Sequence, residues 1–316
     1  MSDPLTLKDF YITRNGDDIY SNAEDFIGKA IADYDPDNIE DVVFRFRSDW
    51  DEDLCIGLLK KFLTSDRAPT ALAIVIGMWS SEMSDQDSSE VLSTLVEHKG
   101  VLSNLKAIYL GDVVSDENEM SWIVQTDISP LLENFPGLEY LRSRGAEGLA
   151  FNVSEHHNLR ALALETGGLD VSVLRSVSTA RLPNLEHLEL WLGTGEYGGN
   201  CTVEDLQPIL SGDLFPKLRY LGLRNYDQID AVCSVLVNSP VVQQLEILDL
   251  SLGTLTDIGA RALLNFPTDT KLQRLVLNHH FVTRELIEEL SKLPFKVELR
   301  DVQEEEEGWR FVAVGE

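Results

Sequence analysis

Residues 245–263 read L-E-I-L-D-L-S-L-G-T-L-T-D-I-G-A-R-A-L. The first half has the spacing L-x-x-L-x-L, whose last part alternates as in a β-strand. In the second half, D-I-G-A-R-A-L, the apolar residues have the spacing of a helix. A strand joined to a helix in about 20 residues cannot bury its own apolar face, so further copies are expected on both sides of it.

The copies are recognised by aligning the middle apolar residue of each candidate strand. The separations between these anchors average about 28 residues, within the range of leucine-rich repeats. The ten anchors are Phe44, Ile74, Ile108, Leu141, Leu162, Leu188, Leu221, Leu248, Leu275 and Val297.

Helical stretches are predicted between the anchors, and prolines mostly separate a helix from the next strand. The predicted helices cover residues 54–63, 91–96, 128–135, 171–177, 203–210, 231–237, 258–266 and 285–290. An additional strand near Leu5 and a helix over residues 23–34 are predicted before the first repeat.

The pattern resembles leucine-rich repeats of the ribonuclease-inhibitor type over residues 39–300, most specifically in L-E-I-L-D-L followed by T-L-T-D-I-G-A-R-A-L. The chain is also similar to uncharacterised bacterial cytoplasmic leucine-rich repeat proteins, in L-E-H-L-E-L-W-L-G-T-G-E-Y-G-G and in W-R-F-V-A-V. The resemblance implies a horseshoe with a parallel inner sheet and outer helices, and it supplies no catalytic residue. Such repeats often place Asn or Cys in the turn after the strand; other residues stand there here, which predicts irregular turns.

The predicted fold class is therefore α/β: a right-handed leucine-rich-repeat solenoid of about 8–10 repeats. Residues 1–38 are expected to form an N-terminal cap, residues 39–300 the solenoid, and residues 301–316 a C-terminal capping strand. The run 303–308 contains four consecutive glutamates and is interpreted as an acidic turn before that strand.

The composition is strongly acidic, with 26 Lys and Arg against 54 Asp and Glu and a formal charge of −28. Such a balance argues against nucleic acid as a partner. Two interpretations stay open: a charge that maintains solubility, or attraction of a basic partner. Three widely spaced cysteines predict reduced thiols, and the absence of a signal-like or membrane-spanning run favours a cytoplasmic protein with no membrane association.

The side chains that flank each anchor are expected to lie on the concave face of the sheet, because side chains alternate along a strand. Three such positions on each of ten strands hold eight of the 26 basic residues but four of the 54 acidic ones. Arginine together with aromatic residues is typical of binding hot spots. The candidate binding residues on this face are Arg45, Arg47, Tyr109, Tyr140, Arg142, Arg144, His187, Glu189, Trp191, Tyr220, Arg224, Asp249 and Arg274.

Two interpretations of these arginines remain open. Neighbouring strands lie about 4.8 Å apart, so Arg144 beside Glu165, or Arg274 and Arg300 around Glu298, would form ladders of neutralising structural pairs. Alternatively the arginines recognise acidic or carboxylate groups of a partner.

The glycine-rich segment 191–199 is predicted to be a long loop that carries Glu196 and Tyr197. Its glycines suit either a lid over a ligand or a tight turn. A second insertion, residues 115–126, is a candidate for the opposite wall.

Catalysis finds little support, since no catalytic or nucleotide-binding motif is present. His187 with Glu189 is kept as an acid/base candidate. We expect no enzyme activity, no cofactor and no metal. The predicted function is non-catalytic protein or peptide binding through the concave face; the alternative is a small-molecule or substrate-handling accessory protein of a bacterial pathway, with residues 191–199 as lid.

Overall fold

The computed structural model describes residues 43–48, 54–115 and 117–315. Ten strands pair in chain order in one open parallel sheet, β1 beside β2 and so on to β10. Among the described residues an α-helix follows every strand from β1 to β9 except β4, which leads to β5 without one, so the predicted α/β solenoid is confirmed. The predicted N-terminal strand, helix and cap lie outside the described residues.

The strands are short, as expected for units of about 28 residues. They are β1 Val43–Phe46, β2 Ala73–Ile76, β3 Ala107–Leu110, β4 Tyr140–Arg144, β5 Ala161–Glu165, β6 His187–Gly193, β7 Tyr220–Tyr226, β8 Ile247–Asp249, β9 Arg274–Val276 and β10 Lys296–Glu298.

The α-helices of the described residues follow the predicted stretches closely. They are α1 Cys55–Leu63, α2 Ser89–Glu97, α3 Ser129–Asn134, α4 Val171–Thr179, α5 Gln207–Leu210, α6 Ile229–Leu236, α7 Asp257–Leu263 and α8 Arg284–Leu290. The stretch 203–210 is not one helix but a 3-10 turn, Glu204–Leu206, followed by α5. Pro208 explains the difference, because its ring disfavours a continuous α-helix through the four preceding residues.

The predicted register is confirmed wherever pairing is defined. Anchor lies opposite anchor in Phe44–Ile74, Ile74–Ile108, Ile108–Leu141, Leu188–Leu221, Leu221–Leu248, Leu248–Leu275 and Leu275–Val297. A shift of one residue would turn every anchor to the other face, so burial of the leucines fixes this register.

The turns after five of the ten strands share a feature, so the expected irregularity does not extend to them. A residue with left-handed backbone recurs four positions after the anchor of β4, β7, β8, β9 and β10. These residues are Gly145 (φ 112°), Asn225 (φ 53°), Leu252 (φ 70°), His279 (φ 61°) and Asp301 (φ 60°). Residues other than glycine rarely adopt this backbone conformation, so the surrounding contacts must stabilise it.

The chain divides into two compact units, one ending at Leu162 and the other running from Ala163 to Gly315. In the first unit the side chains flanking the anchors are largely apolar and buried. They form a cluster of Val43, Ala73, Val75, Ala107, Tyr109, Tyr140 and Ala161. Strands that are apolar on both faces are typical of parallel sheets.

In the second unit the anchors Leu188, Leu221, Leu248 and Leu275 are fully buried. Acidic residues at helix starts link successive repeats: Asp230 accepts hydrogen bonds from the backbone N–H groups of Thr256 and Gly259 at 2.9 and 3.0 Å. Carboxylates are stabilising at helix N-termini. Part of the negative charge is therefore structural.

After β10 the chain folds back along the turns of the second unit. The Leu252 carbonyl accepts a hydrogen bond from Ala313 N–H at 2.8 Å, and Asn225 binds the backbone of Val314. The assignment of this segment as a cap stays a prediction. Within the described ranges, no helix combines the length and apolar character needed to span a bilayer.

Candidate binding face of the sheet

The predicted site residues occupy positions that alternate with the anchors, and we call this side of the sheet the flanking face. The register places them in rows across the strands. One row of the second unit contains His187, Tyr220, Ile247, Arg274 and Lys296. The next contains Glu189, Gly222, Asp249, Val276 and Glu298.

Glu189 is the centre of a buried polar network on β6–β8. Its Oε1 accepts hydrogen bonds from Trp191 Nε1 at 2.6 Å and from Arg224 Nη1 at 2.7 Å. The Arg224 guanidinium also lies over the Trp191 ring, 5.1 Å from its centroid. The indole, the guanidinium and the carboxylate thus hold one another in a fixed geometry.

Tyr220 connects this centre to Asp249 and His187. The Tyr220 hydroxyl donates to Asp249 Oδ2 at 3.0 Å, and Arg224 Nε lies 3.5 Å from the same oxygen. The His187 ring stacks on the Tyr220 ring with centroids 3.9 Å apart. A side chain at Gly222 would fill this space, since its Cβ would lie 3.0 Å from Tyr220 Cε1.

Burial and the two carboxylates shift the pKa values of the His187, Tyr220 and Arg224 side chains. Burial has the largest effect on His187. It lowers the pKa of His187, against the opposing effect of the nearby Glu189 carboxylate. It raises the pKa of Tyr220, and the carboxylates of Asp249 and Glu189 raise it further. For Arg224, burial alone would lower the pKa, but Asp249 and Glu189 outweigh it and raise the pKa.

The acid/base candidates are brought together, with His187 Nε2 3.5 Å from Glu189 Oε2. The same carboxylate group is also held by Trp191 and Arg224. A carboxylate held by three side chains orients its neighbours, which is a structural role.

The predicted arginines of the first unit are paired rather than open. Arg45 forms an ion pair with Asp112 at 3.2 Å and Arg47 with Glu117 at 2.9 Å. The partners lie far away in the sequence, in the turn after β3 and in the insertion 115–126. Glu117, in the insertion 115–126, therefore contacts the flanking face through its ion pair with Arg47.

Arg142 and Arg144, the central pair of the predicted surface, are buried. The Arg142 guanidinium lies over the Tyr109 ring, 4.5 Å from its centroid. Arg144 Nη1 donates to the Val113 carbonyl at 2.7 Å, while Gln125 Nε2 donates to the Arg144 carbonyl at 2.7 Å. Both guanidinium groups thus contact groups of the fold itself, a ring and a backbone carbonyl.

The β9–β10 end of the face is different, because positive charge exceeds negative charge there. Arg274, Lys296 and Arg300 surround the Glu298 carboxylate at 3.8, 2.5 and 3.6 Å. Among the described residues Glu298 is the one carboxylate within ion-pair distance of these three side chains. We call these four residues the basic edge.

The basic edge is also accessible. The Lys296 and Arg300 side chains are 63% and 49% exposed, whereas Glu298 is 8% exposed. One carboxylate neutralises one of three cations, so the edge presents about two unbalanced positive charges to solvent. Arg274 is the one residue of the basic edge among the candidate binding residues predicted from the sequence. Lys296, Glu298 and Arg300 were not among them, although they flank the anchor Val297 in the same way.

The prediction of a loop over residues 191–199 is wrong for its first three residues, which belong to β6. The remainder contains a 3-10 turn, Gly195–Tyr197, which includes Glu196. Its glycines allow close backbone packing: a Cβ at Gly193 would lie 1.8 Å from the Gly167 carbonyl oxygen. Thr194 N–H donates to that oxygen at 2.9 Å. The geometry supports the tight-turn interpretation of the glycines. Throughout the described part of the chain, no three His, Cys, Asp or Glu side chains are grouped in a way suited to a metal ion.

Fold and face together define a class: an α/β solenoid with a paired polar face and a basic edge. A Bacteroides fragilis protein, whose crystal structure was determined by the Northeast Structural Genomics Consortium, is 30% identical with a TM-score of 0.77. The match covers 86% of this chain and 76% of the other. The chain belongs to the same family as this Bacteroides fragilis protein.

An internalin from Listeria monocytogenes is 16% identical over 77% of this chain and 66% of the internalin, with a TM-score of 0.36. This similarity is too low to contribute to the assignment. No family model matches the chain, and no curated protein matches it.

Proposed function

We propose that this protein is a non-catalytic binding module that docks an acidic segment of a partner protein on the basic edge. The observation that carries the proposal is the three-to-one ratio of cations to carboxylate around Glu298. We further propose that the repeats are of the ribonuclease-inhibitor type and that the protein acts in the cytoplasm.

The surrounding charge makes the basic edge selective. The whole chain carries −28, so an acidic partner is repelled elsewhere. At physiological ionic strength the Debye length is about 8 Å, so local charges dominate once the partner is in contact. Guanidinium groups of Arg274 and Arg300 are suited to bidentate contact with carboxylates.

The buried Glu298 also positions its neighbours. It accepts from Lys296 at 2.5 Å and keeps Arg274 and Arg300 on the same side. Side chains that are already oriented lose less conformational entropy when a partner binds. In Glu298→Gln the amide oxygen can still accept the Lys296 hydrogen bond, while the charge that neutralises the three cations is removed.

The test uses a fluorescently labelled peptide of repeating Glu-Leu units and the double variant Arg274→Glu/Arg300→Glu. The matched control is Arg175→Glu/Arg284→Glu, which changes charge equally at exposed arginines on α4 and α8. Fluorescence anisotropy should show affinity reduced on the order of tenfold or more in the first variant only. Raising the salt concentration should weaken binding to the wild type.

An equal loss in both double variants would mean that overall charge, not the basic edge, determines binding, and the proposal would be wrong. A second experiment uses the wild type and both double variants as bait in an affinity pull-down from the source cytosol. A protein retained by the wild type and the control, but lost by Arg274→Glu/Arg300→Glu, supports the proposed function. Glu298→Gln should bind the Glu-Leu peptide at least as tightly as the wild type.

A further inference from the structure

A second surface lies in residues 302–311, which we call the aromatic hairpin. Trp309 is 69% exposed and Phe311 55% exposed, and Val302 is exposed as well. Seven large apolar side chains are exposed among the described residues, and three of them belong to this short segment. Single exposed apolar residues are ordinary, but a group of large ones marks an interaction site.

The aromatic hairpin has a defined backbone. Glu306 and Trp309 exchange two backbone hydrogen bonds of 3.0 and 2.8 Å. Glu307 and Gly308 between them have φ of 52° and 86°, as in a type I′ turn. The Glu305 and Arg310 side chains pair across the hairpin.

The residues that follow are fixed on the second unit. His279 Nε2 lies 3.1 Å from the Phe311 carbonyl oxygen, and Ala313 and Val314 are bound by Leu252 and Asn225. Trp309 and Phe311 are thus presented by an anchored backbone. The entropy of ordering this segment is lost in folding and not in binding, which favours association.

The charge around the aromatics indicates the partner. Glu304, Glu306 and Glu307 are exposed next to Trp309. An indole face attracts Lys and Arg cations, and neighbouring carboxylates strengthen that preference. Symmetric pairing of two copies through this hairpin is disfavoured, because two acidic hairpins on chains of −28 would repel each other.

We infer that the aromatic hairpin docks a basic segment of a partner protein, in which Lys or Arg alternates with large apolar residues. Apolar side chains of the partner cover Phe311 and Val302, while its cations contact Trp309 and the glutamates. This inference does not depend on the proposed function: it concerns a different surface and the opposite charge.

The experiment measures anisotropy of a labelled repeating Lys-Leu peptide with the full chain. The test variant is Trp309→Ser/Phe311→Ser, in which both replaced side chains are more than half exposed, so folding is expected to persist. The matched control is Trp122→Ser, an exposed tryptophan of the first unit. A Lys-Ser peptide of equal charge tests the apolar part, and circular dichroism with thermal melting verifies the fold of each variant.

The wild type and Trp122→Ser should bind the Lys-Leu peptide on the order of tenfold more tightly than the Lys-Ser peptide. Trp309→Ser/Phe311→Ser should lose that preference but retain the Glu-Leu peptide at the basic edge. Equal affinity for both basic peptides would overturn the inference. A second result would also overturn the inference. The wild type would self-associate in sedimentation velocity and bind neither basic peptide, and Trp309→Ser/Phe311→Ser would no longer self-associate. The hairpin would then contact a second copy of the chain.

Discussion

Asn225 binds both backbone groups of Val314 with its side-chain amide. Its Oδ1 accepts from Val314 N–H at 3.0 Å, and its Nδ2 donates to the Val314 carbonyl. Asn225 is fully buried and has the left-handed φ of 53° found after β7. An amide side chain donates from its nitrogen and accepts at its oxygen, so one residue both forms the turn and anchors the backbone of Val314.

Replacing Asn225 by glycine should detach this anchor. Glycine adopts the same backbone conformation, so the change removes the side-chain hydrogen bonds to Val314, and the one that Nδ2 donates to the Thr166 carbonyl at 3.3 Å, without straining the turn. We expect a loss of about 1–3 kcal/mol in the free energy of unfolding, measured in urea, and faster hydrogen exchange at the Val314 amide. Asn225→Ala should cost more, because alanine is strained at positive φ. Unchanged protection of Val314 would show that the other contacts suffice.

Leu248→Ala should remove a central element of the core. Leu248 is fully buried and lies opposite Leu221 and Leu275 in the neighbouring strands. The cavity should cost about 2–5 kcal/mol in urea unfolding. Ile258→Ala, at a position 68% exposed in the same repeat, serves as control and should cost far less. Equal effects in the two variants would contradict the register.

His280 should make the protein less stable as the pH falls. Burial lowers its pKa from 6.5 to about 4, and the neighbouring His279 contributes. Between these values the unfolded state holds more protons than the folded state, so the stability present above pH 6.5 is lost as the pH falls toward about 4. Each unit of pKa lowering corresponds to about 1.4 kcal/mol.

The contribution of His280 is tested with His280→Asn. Asparagine has no titrating group and can still accept the Val282 N–H hydrogen bond that His280 Nδ1 accepts at 3.1 Å. The free energy of unfolding should fall less steeply between pH 7 and pH 5 in this variant than in the wild type. If the free energy of unfolding depends on pH equally in the two proteins, His280 does not titrate in this range. His156 and His187, whose pKa values are also lowered by burial, would then account for the pH dependence.

The three cysteines should react slowly in the native protein. Cys55, Cys201 and Cys233 are buried free thiols, and burial raises the pKa of Cys55 and Cys201 to about 12. The thiolate is the reactive species, so Ellman's reagent at neutral pH should label none of them within minutes. All three should be labelled in urea. Rapid labelling of one thiol without urea would reveal local opening of its repeat.

The repeats could be predicted because each contains its own signal. An anchor such as Leu248 is recognised by apolar residues three positions before it and two positions after it, whatever the rest of the chain does. The small difference at residues 203–210 also has a local cause, the proline at position 208. Six of the ten repeats show this signal well, and alignment with them placed the other anchors, which together predicted the sheet and its register.

The binding face could not be predicted in the same way. Arg45 and Arg142 occupy equivalent positions in the pattern, but Arg45 pairs with Asp112 and Arg142 lies over Tyr109. The excess of arginine on the face predicted a broad recognition surface; in the structure the excess cations are concentrated at Lys296 and Arg300. Ion pairing depends on distances between residues that are far apart in sequence, which periodicity does not describe.

The sequence by itself thus determined the repeat, the order of strands and helices, and which leucines are buried, because burial of apolar residues follows a local period. The tertiary structure alone decided which charges are neutralised, which aromatics remain exposed, and that Asn225 anchors Val314 from 89 residues away. These properties arise from contacts between distant segments. Their energies depend on geometry and burial, and so they appear only once the chain has folded.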